Sequence, residues 1–594
     1  MKKWNEQHEN INERQIDTNL NCKIVSSLDK VFPKKEPEEC ENTLVALKGE
    51  TVSFQIAYFW EGKNKIYGDI SETTIESCSV KDAQNLFSIK DISIRKVLLV
   101  PCQYTNHAEY DDDYLITEPG VYPDLLREMD SMGFPVVSDQ WRSLWIDFNI
   151  PKDAAAGIYE ISFVLRNNTT VNSEEVFKKT AAVRLEILDY ELPELDIPHT
   201  EWLHCDCLAQ YYKVPVFSDE HWRIIEKFIT TAVKRSCNMI YTPLFTPPLD
   251  TAIGGERLTV QLVDVYLKDN KVTPESDYEF GFDKFEYWVA LGEKCGIKYF
   301  EMSHLFTQWG ARSAPKIMAV VENEIKQIFG WNTEACGKEY VNFLSQFLKA
   351  LNKEIHKLGI QDRVYFHISD EPSKDQIGTY MSAKEQVIDY LKDYHLIDAI
   401  SNYEFYEKHL IDEPVCSSDH IKDFLTDEKR PEILWVYYCT VQNLNVSNRF
   451  IAMPGSRTRI LGDMIYRHRI DGFLHWGFNF YNSQYSLYAI DPYQITDADG
   501  AFPAGDPFLV YPGENGTPEE SIRIMIMNEA FSDYRALKLL EKLTNRNEAI
   551  ACLDEKVYGQ LTFDHYPHQE DYVVNVRKMV NQRIKEAIEK TNIS

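Results

Sequence analysis

The stretch Val364-Tyr-Phe-His-Ile-Ser-Asp-Glu-Pro372 places two acidic residues directly after a short apolar run. The β-branched and aromatic residues at its start predict a buried strand, and Pro372 ends the extended segment. Asp370 and Glu371 therefore follow the carboxyl end of this strand. Barrels of parallel strands keep their chemistry at that end, so the stretch predicts both a barrel and a functional site.

Strand-like segments alternate with amphipathic helical segments from residue 199 to about residue 545. Helices are predicted over residues 221–237, 338–358 and 373–394. The alternation predicts a (β/α)8 barrel with insertions, one of them a hairpin within residues 257–282. Eight segments are predicted as barrel strands: 200–205, 239–244, 298–305, 364–369, 399–403, 433–439, 472–478 and 507–511.

The residues before this region have a different pattern, in which polar and apolar residues alternate as in half-buried strands. Short strands separated by turn-forming residues predict a β-sandwich. The predicted fold class is therefore multidomain, with an N-terminal β-sandwich followed by a (β/α)8 barrel. The clearest sandwich strands are residues 51–59, 143–150, 157–164 and 182–188. The predicted domains are an extension over 1–21, the sandwich over 22–195, the barrel over 199–545 and a helical tail over 546–594.

Composition excludes several classes of function. The formal net charge of −30 argues against nucleic acid or an anionic membrane as the main partner. The amino-terminal residues lack the apolar segment of a secretory signal, and no run approaches about 18 apolar residues, so a cytoplasmic protein without membrane insertion is expected. The twelve cysteines form no disulfide-like framework, which fits a reducing compartment.

No cofactor and no metal ion are expected. The sequence has no dinucleotide-binding glycine motif and no phosphate-binding loop, and no His-x-His lies near a predicted strand end. The cluster His204-Cys205-Asp206-Cys207 is interpreted as plain strand, because only Cys205 and Cys207 would share a face. The segment Asp497-Ala-Asp-Gly500 is interpreted as a surface turn rather than a calcium loop.

Asp-Glu pairs alone are weak signals in so acidic a chain. The triplet Asp412-Glu413-Pro414 repeats the motif of residues 370–372, but it follows a polar, loop-like segment. The pair at 370–371 follows a strong strand, so context selects it as catalytic.

Adjacent acids suit a particular mechanism of glycoside cleavage. An acid and a nucleophile flank the scissile bond from opposite sides, which two consecutive residues do poorly. They are better suited if one protonates the leaving oxygen and the other orients a 2-acetamido group, whose carbonyl oxygen attacks the anomeric carbon. An ionised Asp370 and partial burial would raise the pKa of Glu371 as that role requires.

The chain resembles glycoside hydrolase family 123, the N-acetyl-β-galactosaminidases. The resemblance rests on the S-D-E-P segment ending at Pro372, on Gly505–Gly513, on Ser521-Ile-Arg-Ile524 and on Asp533-Tyr534. It implies that Asp370 assists the acetamido group and that Glu371 is the acid/base. It also implies a glycan or glycolipid substrate with terminal β-linked N-acetylgalactosamine. Residues 527–532 depart from the more acidic, glycine-containing stretch of the family.

Other strand ends carry candidates for sugar binding. A hydroxyl group of Tyr437 or Tyr438 would donate to the acetamido oxygen, and the strand register decides which of them faces inward. Trp476 would form an apolar platform under the sugar ring, and Asn479 would bind a hydroxyl. The remaining candidates are Trp435, Tyr403, Asn402 and His304. Two alternatives stay open: the same mechanism acting on β-N-acetylglucosamine, and a carbohydrate-binding barrel without catalysis.

Overall fold

The computed structural model describes residues 20–593 except 63–64, 81, 83, 169–176, 427 and 556–559. The chain divides into two compact units. The first takes in the chain as far as Leu98 together with Leu126–Leu192, and the second consists of Leu99–Leu125 with Pro193–Ser594. Of the extension expected over residues 1–21, residues 1–19 lie outside the described residues, and the first strand begins at Leu20.

Two five-stranded sheets form the N-terminal β-rich part of the chain, as predicted. Their strand orders are β1-β3-β8-β5-β6 and β2-β10-β9-β4-β7. The strands are β1 (Leu20–Ser26), β2 (Thr43–Lys48), β3 (Thr51–Trp60), β4 (Ile66–Cys78), β5 (Ile92–Cys102), β6 (Gly120–Glu128), β7 (Phe134–Val136), β8 (Trp141–Asn149), β9 (Gly157–Asn167) and β10 (Lys178–Glu191). Phe54 of β3 contacts Phe148 of β8 and Phe163 of β9, so one apolar core joins the two sheets.

A closed barrel of eight parallel strands dominates the second unit. In barrel order these are β11 (His199–Glu201), β12 (Met239–Thr242), β15 (Tyr299–Met302), β18 (Val364–Phe366), β19 (His395–Ile400), β20 (Glu413–Ser417), β21 (Trp435–Tyr437) and β22 (Gly472–His475). The barrel and its parallel strands confirm the predicted fold class, and Val364 begins the fourth strand as expected.

Helices follow most of the barrel strands. They are α1 (Cys205–Tyr212), α2 (Asp219–Lys234), α3 (Asp283–Cys295), α4 (Lys338–Leu358), α5 (Ile377–Leu391), α6 (Glu404–Glu407), α7 (Gly455–Arg459), α8 (Leu461–His468), α9 (Ile522–Leu543), α10 (Arg546–Asp554) and α11 (Glu570–Ile593). Among the helices of the described residues, none has the length and apolar composition needed to cross a lipid bilayer.

One predicted barrel strand is wrong and another was missed. Residues 507–511 do not enter the barrel, because β23 (Val510–Pro512) pairs antiparallel with β24 (Pro518–Glu520). The barrel is completed by β20. Its second residue is Pro414 and the segment before it is polar, so this part of the sequence resembled a loop. This strand is nevertheless buried from Pro414 onward and pairs in parallel with β19 and β21.

The segment around Cys205 is also corrected. It was predicted as a strand, but β11 ends at Glu201 and α1 begins at Cys205. The predicted hairpin insertion is confirmed as β13 (Asp264–Leu267) and β14 (Tyr278–Gly281), which pair antiparallel. It belongs to a four-stranded sheet with β16 (Ile317–Val321) and β17 (Glu324–Phe329).

Candidate active site

Asp370 and Glu371 lie just beyond β18, at the carboxyl end of the fourth barrel strand. Every residue of β18 is buried, whereas Asp370 is half-buried and Glu371 reaches solvent. The backbone N–H of Trp309, in the loop after β15, donates to the carbonyl oxygen of Asp370 at 2.9 Å. Glu371 has a φ of +42°, a left-handed conformation that is strained for a side chain of this size and is found preferentially at functional sites.

The electrostatics of the pair favour retention of a proton. Burial raises the pKa of Asp370 well above its usual range, the charge of Glu371 raises it further, and the nearby His367 imidazolium lowers it. Although Glu371 keeps a surface open to solvent, desolvation within the barrel mouth raises its pKa too. Because the two groups interact, their titration belongs to the pair, and we expect the pair to keep one proton to a higher pH than isolated carboxyl groups would.

Tyr437 is the tyrosine of β21 that reaches the pair. Its hydroxyl group donates to Oε1 of Glu371 at 2.7 Å and lies 3.5 Å from the Ser401 hydroxyl. This hydrogen bond stabilises the ionised carboxylate and lowers the pKa of Glu371, in opposition to burial. Asp419, in the loop after β20, acts in the opposite direction and raises it.

The neighbouring candidates Tyr438 and Trp435 lie in the packed interior. The Tyr438 side chain points out of the barrel, where its hydroxyl contacts Sδ of Met527 at 3.2 Å. Trp435 shares the inward face with Tyr437, is 1% exposed and packs edge-on against Tyr365 at 5.6 Å. The structure therefore brings Tyr437, and neither of these two residues, into hydrogen-bond contact with the acidic pair.

Trp476 is half-buried at the end of β22 and is held from two sides. Its indole Nε1 donates to Oδ2 of Asp506 at 3.0 Å, and its ring meets the edges of Phe480 and Phe502 at 5.1 and 5.4 Å. Asp506 is fully buried, and burial raises its pKa to about 7. Trp476 is thus fixed in one orientation while part of its surface stays accessible.

Asn479, Asn402 and Tyr403 have structural partners. The Asn479 amide group is fully buried and exchanges hydrogen bonds of 2.8 and 3.1 Å with the backbone of His204. Asn402 accepts from the Glu404 N–H at the start of α6, and the Tyr403 hydroxyl donates to the Lys429 carbonyl. The structure shows no contact between these side chains and the acidic pair within the described residues.

His304 lies just after β15 and is 1% exposed. Its ring stacks on that of His367 at 4.3 Å, and its Nδ1 lies 3.0 Å from the Tyr241 hydroxyl. His304, His367 and Asp398 carry donor atoms within 4.8 Å of one another, a spacing that a metal ion could use. Both ring nitrogens of His367 already contact carboxylates, whereas the buried Nε2 of His304 has no hydrogen-bond partner among the described residues.

Asp419 and Glu301 are polar residues near the pair that the sequence analysis missed. Asp419 lies just after β20, and because that strand was not predicted, Asp419 was not recognised as a strand-end residue. Glu301 interrupts the aromatic and apolar strand β15, and a buried acid within such a strand is a signal that could have been used.

Comparisons with known proteins agree with this architecture. The glycoside hydrolase 123 catalytic-domain model matches residues 202–540, and the glycoside hydrolase 123 N-terminal-domain model matches residues 25–167. No curated protein matches the chain.

Among solved structures, a family 123 glycoside hydrolase from Clostridium perfringens, described for glycolipid glycan hydrolysis, is similar with a TM-score of 0.71 and 17% identity. The match covers 97% of this chain and 100% of that chain. A putative β-galactosidase from Bacteroides fragilis is 8% identical over 85% of this chain and 60% of that chain, with a TM-score of 0.30. A family 5 mannosidase from Rhizomucor miehei is 11% identical over 58% of this chain and 94% of that chain, also with a TM-score of 0.30.

Proposed function

The chain belongs to glycoside hydrolase family 123, and from that premise we propose that it is a retaining exo-glycosidase that releases terminal β-linked N-acetylgalactosamine from glycans or glycolipids. The proposed mechanism is substrate-assisted, with the 2-acetamido group of the substrate as the nucleophile. Asp370 and Glu371 are its proposed catalytic residues.

The observation that carries this proposal is the adjacency of the two acids on one strand end. Two carboxyl groups that act as acid and nucleophile stand about 5–5.5 Å apart across the scissile bond and usually come from different strands. Asp370 and Glu371 are consecutive, and each has a raised pKa. A pair that shares one proton supplies one acid and one carboxylate, which are the two groups that acetamido assistance uses.

In the proposed first step, protonated Glu371 donates its proton to the glycosidic oxygen as the bond from the anomeric carbon to that oxygen breaks. The acetamido oxygen attacks the anomeric carbon and forms an oxazolinium ion. The Asp370 carboxylate accepts a hydrogen bond from the acetamido N–H and stabilises the positive charge. In the second step water attacks the anomeric carbon as the bond from that carbon to the acetamido oxygen breaks, which restores the acetamido group. Glu371 takes up a proton from that water, and the sugar leaves with its original configuration.

Tyr437 connects substrate binding to the acid. In the free enzyme its hydroxyl group donates to Glu371, which lowers the pKa of that acid. If the hydroxyl turns to the acetamido oxygen of a bound substrate, Glu371 loses this stabilisation of its charged form and its pKa rises. The acid would then be most strongly protonated when substrate is present.

Trp476 is the proposed platform for the apolar face of the sugar. Its ring is fixed by Asp506 and two phenylalanines while part of it stays accessible. A fixed aromatic face offers contact area to a sugar at little cost in side-chain entropy. The glycolipid part of the proposal comes from the similar Clostridium perfringens enzyme, which is described for glycolipid glycan hydrolysis.

The deciding experiment compares turnover of aryl β-N-acetylgalactosaminide with that of aryl β-N-acetylglucosaminide. We expect preferential cleavage of the galacto compound, and NMR should detect the β-anomer as the first product. Preference for the gluco compound would indicate a β-N-acetylglucosaminidase with the same mechanism. Binding of either sugar without turnover would identify a carbohydrate-binding barrel instead.

A further inference from the structure

Two aromatic side chains at the barrel mouth have no part in the mechanism described so far. Trp309 lies in the loop after β15, and Tyr485 lies in the segment after β22. Their ring centroids are 6.3 Å apart and the ring planes stand at 88°, so one ring meets the other edge-on. Trp309 is half-buried and Tyr485 is 37% exposed, so each side chain keeps surface that a ligand could contact.

The backbone of Trp309 contacts the catalytic pair directly. Its N–H group donates to the carbonyl oxygen of Asp370 at 2.9 Å. The next residue, Gly310, has a φ of +104° and packs so closely against Gln376 that an added Cβ would lie 2.7 Å from that side chain. The loop that carries Trp309 is therefore held against the chain on both sides of Glu371.

Buried polar groups join this loop to the segment that carries Tyr485. The side-chain Oε1 of Gln308, which is 4% exposed, accepts a hydrogen bond from the Asp250 N–H at 2.9 Å. Asp250 in turn accepts from the Tyr485 N–H at 3.1 Å and, through its carbonyl oxygen, from the Ser486 hydroxyl at 2.9 Å. The segments after β12, β15 and β22 thus form one hydrogen-bonded assembly that fixes both aromatic residues.

The same assembly contains strained backbone. The φ angles of Asp250, Trp309 and Tyr485 are +39°, +59° and +58°, in the left-handed region that side chains other than glycine rarely adopt. Strain of this kind persists where the surrounding structure enforces it, and it clusters at binding and catalytic sites. Two rings that served only to pack against each other would not require it.

The order of the barrel strands places the aromatic pair across the mouth from the proposed acid. The contact between Trp309 and Tyr485 runs from the third strand to the eighth. The hydrogen bond between Tyr437 and Glu371 runs from the seventh strand to the fourth. In the closed ring the third strand is next to the fourth and the seventh is next to the eighth. The two contacts therefore run side by side, with Glu371 facing the space between them from one side and the aromatic pair from the other.

The depths of the two acids indicate which part of a substrate enters that space. Asp370 is half-buried, whereas Glu371 is exposed. In the proposed mechanism Asp370 holds the acetamido group and Glu371 protonates the glycosidic oxygen, so the leaving group lies on the solvent side. Indole and phenol rings are uncharged at neutral pH, and they offer a sugar ring contact area at little cost in side-chain entropy.

We propose that Trp309 and Tyr485 form the subsite for the leaving group, where they contact the first, neutral sugar of the aglycone while Trp476 contacts the N-acetylgalactosamine. This inference rests on the proposed function, because it places the leaving sugar beside the acid of that mechanism. It assigns the choice of aglycone to the segments after the third and eighth barrel strands.

The test compares kcat/KM on two kinds of substrate with alcohol leaving groups. One is methyl β-N-acetylgalactosaminide, and the other is β-N-acetylgalactosamine linked to O3 or O4 of methyl galactoside. Trp309→Ala should lower the ratio of disaccharide to methyl activity roughly tenfold or more for the preferred linkage, because remote contacts with the substrate contribute to transition-state binding. Tyr485→Ala should lower the ratio less, and Trp309→Phe, which keeps a ring, should retain most of it.

A galacto-configured thiazoline tests the neighbouring subsite separately, because it mimics the oxazolinium ion and has no leaving group. It should inhibit Trp309→Ala as strongly as the unsubstituted enzyme. Tyr287→Ala is the matched control: Tyr287 is 50% exposed and meets Trp222 edge-on at 4.8 Å, but it lies on helix α3. That variant should leave the ratio unchanged. Tyr485→Ala covers the case in which Trp309→Ala does not fold.

Three outcomes would overturn the inference. An equal loss on the methyl glycoside and the disaccharide, or weaker inhibition of Trp309→Ala by the thiazoline, would assign the rings to the N-acetylgalactosamine subsite. An unchanged ratio in both alanine variants would remove them from substrate binding. Leu487, 67% exposed, follows Tyr485 closely, so a loss confined to substrates with a lipid chain would assign this surface to lipid.

Failure of the proposed function has a different result. The unsubstituted enzyme would then cleave neither substrate and would not bind the thiazoline. Cleavage of both substrates with an unchanged ratio in the variants rejects the leaving-group subsite alone.

Discussion

The Tyr437 hydroxyl group donates to Oε1 of Glu371 at 2.7 Å, from the seventh barrel strand to the loop beyond the fourth. This contact settles the register of β21, because it turns Tyr437 inward and Tyr438 outward. It also links the proposed acid to the group that would hold the acetamido oxygen of a substrate.

Tyr437→Phe should reduce kcat/KM on the aryl substrate by about 10- to 100-fold, because one hydrogen bond to the reacting groups is lost. The hydrogen bond lowers the pKa of Glu371, so its loss raises that pKa. Since Glu371 acts in its protonated form, the basic limb of the pH profile should move to higher pH. Tyr438→Phe, which removes a hydroxyl contact with Met527, is the control and should leave the profile unchanged.

Glu371→Gln and Asp370→Asn should both impair cleavage, but with different dependence on the leaving group. Without the acid, poor leaving groups should lose about 10²- to 10⁴-fold in rate, and activated aryl groups should lose less. Without Asp370 both should lose activity alike, because the acetamido group is no longer assisted. Asp412 of the second Asp-Glu-Pro triplet is exposed, and Asp412→Asn is the control that should keep the normal rate. Normal rates in Glu371→Gln or Asp370→Asn would contradict the assignment of these two residues as catalytic.

Asp506→Asn should change how stability depends on pH. Burial raises the pKa of Asp506 to about 7 from an ordinary value of 3.8, so between these values the folded state binds a proton that the unfolded state releases. The contribution of Asp506 to stability is therefore fully present below about pH 4 and is lost as the pH rises to 7, by at most about 1.4 kcal/mol per pH unit. Urea unfolding at pH 5 and pH 7 should show a smaller loss of stability in the variant than in the unsubstituted protein.

A chelator should leave activity unchanged. His304, His367 and Asp398 have the spacing of a metal site, but both nitrogens of His367 are occupied by Glu301 and Asp398. Kinetics before and after prolonged treatment with EDTA provide the measurement. Loss of activity that is restored by a divalent cation would contradict the hydrogen-bonded interpretation of the cluster.

The sequence predicted the barrel and the place of the acidic pair because both depend on local pattern. Val364–Phe366 is apolar, buried and followed by the two acids, so its composition and position were sufficient. Strand β20 was missed because it contains Pro414 and follows a polar segment. Both features indicate a loop, and the apolar run of the strand is short. Pattern alone could not decide between Tyr437 and Tyr438, since neighbouring strand residues differ only in the face that the register assigns to them.

The buried cluster of one histidine and two acids from β15, β19 and the segment after β18 was beyond sequence analysis for a different reason. Glu301, His367 and Asp398 are separated by tens of residues and meet only because their strands are neighbours in the closed barrel. In the sequence each of them is a single polar residue within a short apolar segment. The sequence does not identify the residues that it contacts in the fold.

The left-handed backbone of Glu371 lowers the stability of the fold at a residue that the proposed catalysis requires. A glycine adopts this conformation without the steric cost that a glutamate bears, which is about 1 kcal/mol or more. Glu371→Gly should therefore melt at a temperature equal to or above that of Glu371→Ala, while both lack activity. A directed-evolution experiment that selects for heat resistance alone would favour the loss of the acid here, so any such selection has to include turnover.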